Sequence, residues 1–202
     1  VGSEMCIRDS TKGVNVDEFV VDNKMPSATG KGYISYISNC DPALDVNNKI
    51  ARANTAGEPY ITGGWPGDWW LFTIPEMTIK AGTVINAKFH ARASGTGMKY
   101  WMLEYYDGGE WKPGAPLQTT TVGEGDQAQT FSYNYEMMNT DHCLIDRNMT
   151  FEHAINNGDI LIRLRCMANW QASGKGALAA PNGGTHRISV QNNINPTISI
   201  VQ

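Results

Sequence analysis

Apolar residues recur at every second position in four separate stretches, and that spacing leaves little room for any fold but β-sheet. "TVINAKFHARA" places Ile85, Ala87, Phe89 and Ala91 on one side and Asn86, Lys88, His90 and Arg92 on the other. "KYWMLEYYD" sets Trp101, Leu103 and Tyr105 against Tyr100, Met102, Glu104 and Tyr106. "TFSYNYEM" opposes Phe131, Tyr133, Tyr135 and Met137 to Thr130, Ser132, Asn134 and Glu136, and "DILIRLRCMA" opposes Ile160, Ile162, Leu164 and Cys166 to Leu161, Arg163, Arg165 and Met167. A strand with one apolar face lies half-buried against another layer. "YISYIS", "WWLFTIP", "HRISV" and "TISIV" read as shorter strands, and "VNVDEFVV" as a first one. Helical periodicity is nearly absent.

Turn signals punctuate these strands: "TGGWPGD", "SGTG", "DGGEW", "NNGD" and "APNGG". "YYDGGEW" predicts a tight hairpin, because Gly108 and Gly109 supply the positive φ that primed turns demand. The longest predicted loops are 113–128, 138–148 and 172–185. Many short strands joined by Gly-rich turns predict an all-β, two-sheet antiparallel sandwich of jelly-roll type.

The opening "VGSEMCIRDS" fits neither a signal peptide nor the start of a folded domain. The codons GTG GGC TCG GAG ATG TGT ATA AGA GAC AG translate as Val1 to Asp9 plus most of Ser10, and that DNA resembles the adapter that transposase-based library kits attach to sequenced fragments. Residues 1–10 are therefore expected to be a translated adapter without a fold, on a reading frame from assembled environmental DNA whose true N-terminus lies upstream. Residues 11–202 are expected to form one module, with 11–60 giving N-terminal strands and loops and 61–202 the main sandwich. Setting Cys6 aside leaves Cys40, Cys143 and Cys166, an odd number with no metal-ligand spacing. A Cys40–Cys143 disulfide and three buried thiols are both compatible with that count.

Composition narrows the partners. Removing Glu4, Arg8 and Asp9 takes the 16 basic and 20 acidic residues to 15 and 18, a net of −3. A surface without basic excess argues against nucleic acid, whose phosphates demand it. No apolar run reaches the length of a membrane span. Charged residues make up only 18% while Asn, Thr, Ser and Gly abound, which is the look of a secreted β protein.

"DWWLFTIPEMTIKAGTVINAKFHARASGTGMKYWMLEYYDGGEWKP", with the later "FEHAINNGDILIRLRCMAN", resembles β-sandwich modules of surface and secreted proteins of Bacteroidetes. Those modules are similar to galactose-binding-like jelly rolls that accompany polysaccharide-degrading or adhesive domains. The resemblance spans about half the chain and brings no binding residue with it. It implies a cell-surface or extracellular location, neighbouring domains on the same chain, and a non-catalytic role.

Catalytic patterns are missing. The four histidines are scattered, without HExxH, and there is no GxSxG. Glu104 with Asp107 or Glu110 could form a glycosidase pair, but an exposed hairpin Glu and a turn Asp explain these residues better. Asp41, Asp45 and Asn47 make an oxygen-rich loop cluster that could hold a structural calcium; such clusters are more often plain turns. No other cofactor is expected.

Aromatic residues give the sharper indication. A sugar ring offers a flat patch of C–H bonds that stacks on Trp or Tyr, while its hydroxyls take planar polar partners. Tyr100, Glu104 and Tyr106 on one strand and Arg163 and Arg165 on another are expected on the outward face of one sheet, a surface suited to a glycan. A plain cross-strand salt bridge from Glu104 to Arg163 or Arg165, with the Tyr rings covering the sheet, is the competing explanation. Trp65, Trp111 and Trp170, in or beside predicted loops, form a rival site. Trp70 and Trp101 are assigned to the core, and Trp69 to either side. The expected function is a non-catalytic carbohydrate-binding module; the alternative is a spacer or adhesin module without a small ligand.

Overall fold

The computed structural model describes residues 5–6, 24–37, 51–52, 58–62, 64–178, 184–189, 191–192 and 194–201. Strands dominate them. The first half of the chain gives β1 (Met5–Cys6), β2 (Lys24–Pro26), β3 (Tyr33–Ile37), β4 (Ala51–Arg52), β5 (Pro59–Thr62), β6 (Trp69–Ile79) and β7 (Thr83–Ala93). Then come β8 (Tyr100–Asp107), β9 (Glu110–Pro113), β10 (Gln118–Val122), β11 (Gln129–Tyr133) and β12 (Tyr135–Glu136). β13 (Cys143–Phe151), β14 (Ile155–Cys166), β15 (Thr185–Ser189) and β16 (Thr197–Ile200) follow. No helix among the described residues is long and apolar enough to cross a membrane.

Two antiparallel sheets carry the fold, as the alternation predicts. In the first, β7 pairs from Thr83 to Ala91 with β13 and on its other side with β15 and β16, which lie end to end. β5 and β4 extend this sheet beyond β15, and β1 pairs with β16 through Met5 and Cys6. In the second, β9 and β12 share one side of β8, and β14, β6, β3 and β2 follow on the other. Thus β2 and β3, drawn from the N-terminal part of the chain, complete the same sheet as the central strands.

The core lies between the two inner faces. Ile85, Ala87, Phe89 and Ala91 of β7 are fully buried, as are Trp101 and Leu103 of β8 and Leu164 of β14, with Phe72 of β6 only 1% exposed. Phe72 and Phe89 stack across the gap with centroids 4.8 Å apart. Each of the Ile, Leu and Phe side chains among them contributes about 1.5–3 kcal/mol by leaving water. At one end the core turns polar: Trp70 donates its indole N–H to Nδ1 of His186 at 3.0 Å, and Tyr36 bonds to Asp68 at 3.2 Å.

The structure departs from the sequence reading at three places. "TFSYNYEM" is two strands, because Asn134 bends the chain and inserts its carboxamide against β8. That side chain accepts from the N–H of Leu103 at 2.7 Å and donates to its carbonyl at 3.1 Å. Phe131 and Tyr133 consequently join a small outer cluster with Tyr100, while Tyr135 and Met137 join the main core. The loop expected at 113–128 contains β10, a polar strand held to β11 by Thr119–Ser132 and Thr121–Thr130 hydroxyl pairs rather than by apolar side chains. The loop expected at 138–148 contains the start of β13, whose alternation is broken by Arg147, an exposed edge residue that donates to Tyr135 Oη at 2.9 Å.

Cys143 carries a free thiol, and burial pushes it up to about 11. The "VNVDEFVV" strand, Cys40 and the calcium cluster Asp41, Asp45 and Asn47 lie outside the described residues. Among the described residues, no group of three His, Cys, Asp or Glu could hold a metal ion.

Candidate functional site

Strand register assembles the outer face of the second sheet. Because Trp70 points inward, its neighbour Trp69 points outward, a consequence of period-two geometry available from the sequence once Trp70 is placed in the core. One row across the sheet runs Ile37, Trp69, Arg165, Met102; the next runs Ser35, Leu71, Arg163, Glu104, Pro113. Tyr106 pairs with Trp111 one step further along.

Within this face Glu104 is the anchor. Its side chain is 6% exposed and accepts from Arg163 Nε at 2.7 Å and from Arg165 Nε at 3.0 Å and Nη2 at 3.2 Å. The cross-strand salt bridge anticipated as the competing explanation is therefore present. Burial lowers the pKa of Arg163, while Glu104 acts in the opposite direction. The Arg163 guanidinium lies 4.0 Å from the Trp111 ring centroid and 5.2 Å from that of Trp69, so cation–π contact holds its plane. Tyr106, 38% exposed, tilts against Trp111 at 5.3 Å.

Tyr100 belongs to the same outward side of β8, but it is buried rather than open. Phe131 and Tyr133 of the β10–β11 hairpin pack on it edge-on at 5.1 and 4.9 Å, and Trp170 adds to this cluster. The hairpin thus stands as a wall at one end of the face. Trp65 is half-buried in the segment before β6, where its backbone N–H donates to Asp68 at 2.9 Å. The structure brings together Glu104, Tyr106, Trp111, Arg163 and Arg165 of the expected residues and adds Trp69 and Met102. It sets Tyr100 and Trp170 in the cluster under the hairpin and Trp65 in the turn before β6.

Glu104 and Asp107 sit three residues apart on β8 and so face opposite sides of the sheet. Asp107 ties two hairpins together: it accepts from Lys112 at 2.9 Å and from the backbone N–H groups of Glu152 and His153 at 3.1 Å each. Burial pushes its carboxyl up, but these bonds outweigh it and leave the group below its ordinary 3.8. The turn it begins has φ of 63° at Gly108 and 91° at Gly109, as the Asp-Gly-Gly signal predicts.

No family model and no curated protein sequence matches the chain. Among solved structures, it is similar to one described as "CBM4 structure and function", a carbohydrate-binding module, at 11% identity and a TM-score of 0.46 over 93% of this chain and 100% of that one. It is also similar to one described as "BiXyn10A CBM1 APO", at 12% identity and 0.43 over 85% and 91% of the two chains. A third is the Stig cyclase Fisc from Fischerella sp. TAU, at 12% identity and 0.40 over 100% and 98%. Two carbohydrate-binding modules and a cyclase thus stand side by side.

Proposed function

We propose that this chain is a non-catalytic carbohydrate-binding module of a larger extracellular or cell-surface protein, and that it meets glycan on the outer face of the second sheet. The observation that carries this reading is the Trp69–Arg163–Trp111 arrangement, with Tyr106 exposed beside it. Flat aromatic planes suit the C–H face of a pyranose, and a fixed guanidinium suits its hydroxyls. Strands rather than loops hold these groups, so little ordering entropy is lost on binding. Glu104 serves as the anchor of the two arginines, and Tyr100 and Trp170 as the base of the hairpin wall.

Affinity electrophoresis against a panel of soluble polysaccharides tests the proposal. At least one should retard the protein, and Trp111→Ala should weaken that interaction by about tenfold or more, as loss of a central aromatic anchor does. A folded protein retarded by none of them overturns the reading.

The second reading is a spacer or adhesin module without a small ligand. It is favoured by one specific observation, the full engagement of Glu104 by both arginines. It expects the Tyr106–Trp111 surface to pack against a neighbouring domain. Recovering the longer reading frame separates the two: a flanking glycoside hydrolase favours the first, tandem copies the second.

A further inference from the structure

We infer that the glycan this face takes is acidic, bearing carboxylates of uronic-acid type; the inference rests on the carbohydrate-binding reading above. Charge on the face differs in sign from charge on the chain. The whole sequence is −4, yet the two central rows of this face present Arg163, Arg165 and Lys24 against Glu104 alone. Further along the sheet Asp159 shares the outward parity of β14, and Glu76 is paired with Lys31. Lys24 lies over the Tyr33 ring at 4.9 Å, on the same outward side as Ser35 and Leu71. Glu136, near the Tyr100 end, is balanced by Lys99 at 3.0 Å.

Donors also exceed acceptors here. Glu104 takes up Nε of Arg163, and Nε and Nη2 of Arg165. Both terminal nitrogens of Arg163 and Nη1 of Arg165 have no acceptor among the described residues. A guanidinium has donors only, so these groups call for an acceptor, and a carboxylate adds to each bond the attraction of opposite charges and a bidentate geometry that a neutral hydroxyl lacks. Stacking on Trp111 fixes the plane of Arg163, and a planar carboxylate matches that fork. A uronate therefore satisfies at once the aromatic planes, the excess positive charge and the open donors.

The test uses polygalacturonate and alginate, each beside its methyl ester, with the neutral polysaccharides of the panel and a sulfated galactan as further arms. The ester keeps the backbone and removes the charge. At least one acid form should bind ten times more tightly than its ester, and that preference should shrink between low and high salt. Arg165→Gln should shrink the ratio of acid to ester affinity by about threefold or more, both forms being measured on the same variant, and an unchanged ratio overturns the inference. Equal binding of acid and ester, or retention of neutral polysaccharides only, overturns this inference and leaves the carbohydrate-binding reading in place. Binding of the sulfated galactan in preference to both uronates overturns the carboxylate assignment. Retention of nothing overturns both readings.

Discussion

The indole N–H of Trp70 donates to Nδ1 of His186 across 3.0 Å, between two side chains that have no access to water. An indole nitrogen is a donor only, so the bond requires Nδ1 to be unprotonated and puts the imidazole proton on Nε2. That proton faces the Tyr36 hydroxyl at 3.3 Å, and Tyr36 in turn donates to Asp68 at 3.2 Å. A chain of oriented hydrogen bonds therefore closes one end of the sandwich. Trp70→Phe should cost at least about 2 kcal/mol in urea unfolding, because it orphans a buried acceptor and removes packed volume. Nitrogen-detected NMR should show the Nε2–H tautomer of His186; the opposite tautomer would disprove the relay. Gly64→Ala should also destabilise, since φ is 119° there and a Cβ would sit 2.5 Å from His186 Nε2.

Asn134 substitutes for a strand. Its carboxamide meets both backbone groups of Leu103 at the gap between β9 and β12. Asn134→Ala should destabilise by about 1–3 kcal/mol for each buried group left unpaired, and Asn134→Asp should not restore stability because it cannot donate to the Leu103 carbonyl. Wild-type stability in either variant would remove Asn134 from this role.

Glu104 should prove costly to remove alone. Glu104→Ala leaves two neighbouring guanidinium groups facing each other in a largely buried site, and the expected loss is about 3–5 kcal/mol. Arg165→Ala should cost less than about 1 kcal/mol, since its side chain is 31% exposed and Arg163 still answers Glu104. Chemical denaturation of the two variants measures both, and equal losses would contradict the ranking.

Acid should weaken the fold earlier than carboxylates alone require. Burial holds His90 below its ordinary 6.5, and the neighbouring His142 adds to this. His142 is lowered likewise, first by burial and then by Arg92. The folded state thus resists protons that the unfolded chain accepts, so stability is complete above pH 6.5 and is lost as the pH falls below it. Tm should decline between pH 7 and pH 5, and His90→Gln with His142→Asn should flatten that decline. An unchanged slope in the double variant would assign the loss to other groups.

Residues 1–10 should be dispensable. Of them, Met5 and Cys6 are described, and they add two residues of backbone pairing at the margin of the first sheet. A chain beginning at residue 11 should melt within a few degrees of the full one; a larger drop would make the segment part of the fold.

Sequence alone determined the central strands of both sheets and their inner faces. Alternation is a local property of the strand, so Ile85, Phe89, Leu103 and Leu164 could be assigned to the core without knowing their partners. The Asp-Gly-Gly turn was readable for the same reason, because positive φ is a property of single residues. The same parity put Glu104, Arg163 and Arg165 on an outward side, but could not say what covers it. Tyr100 and Tyr106 share that side of β8, yet Tyr100 is buried beneath Phe131 and Tyr133 while Tyr106 stays exposed. What separates them is the β10–β11 hairpin, and its first strand, polar and hydroxyl-paired, carries no apolar period to announce it. Likewise, Trp111 meets Arg163 only because β8 lies between their strands in a particular register. Register depends on hydrogen bonds between residues far apart in the chain, and no single strand's sequence encodes it.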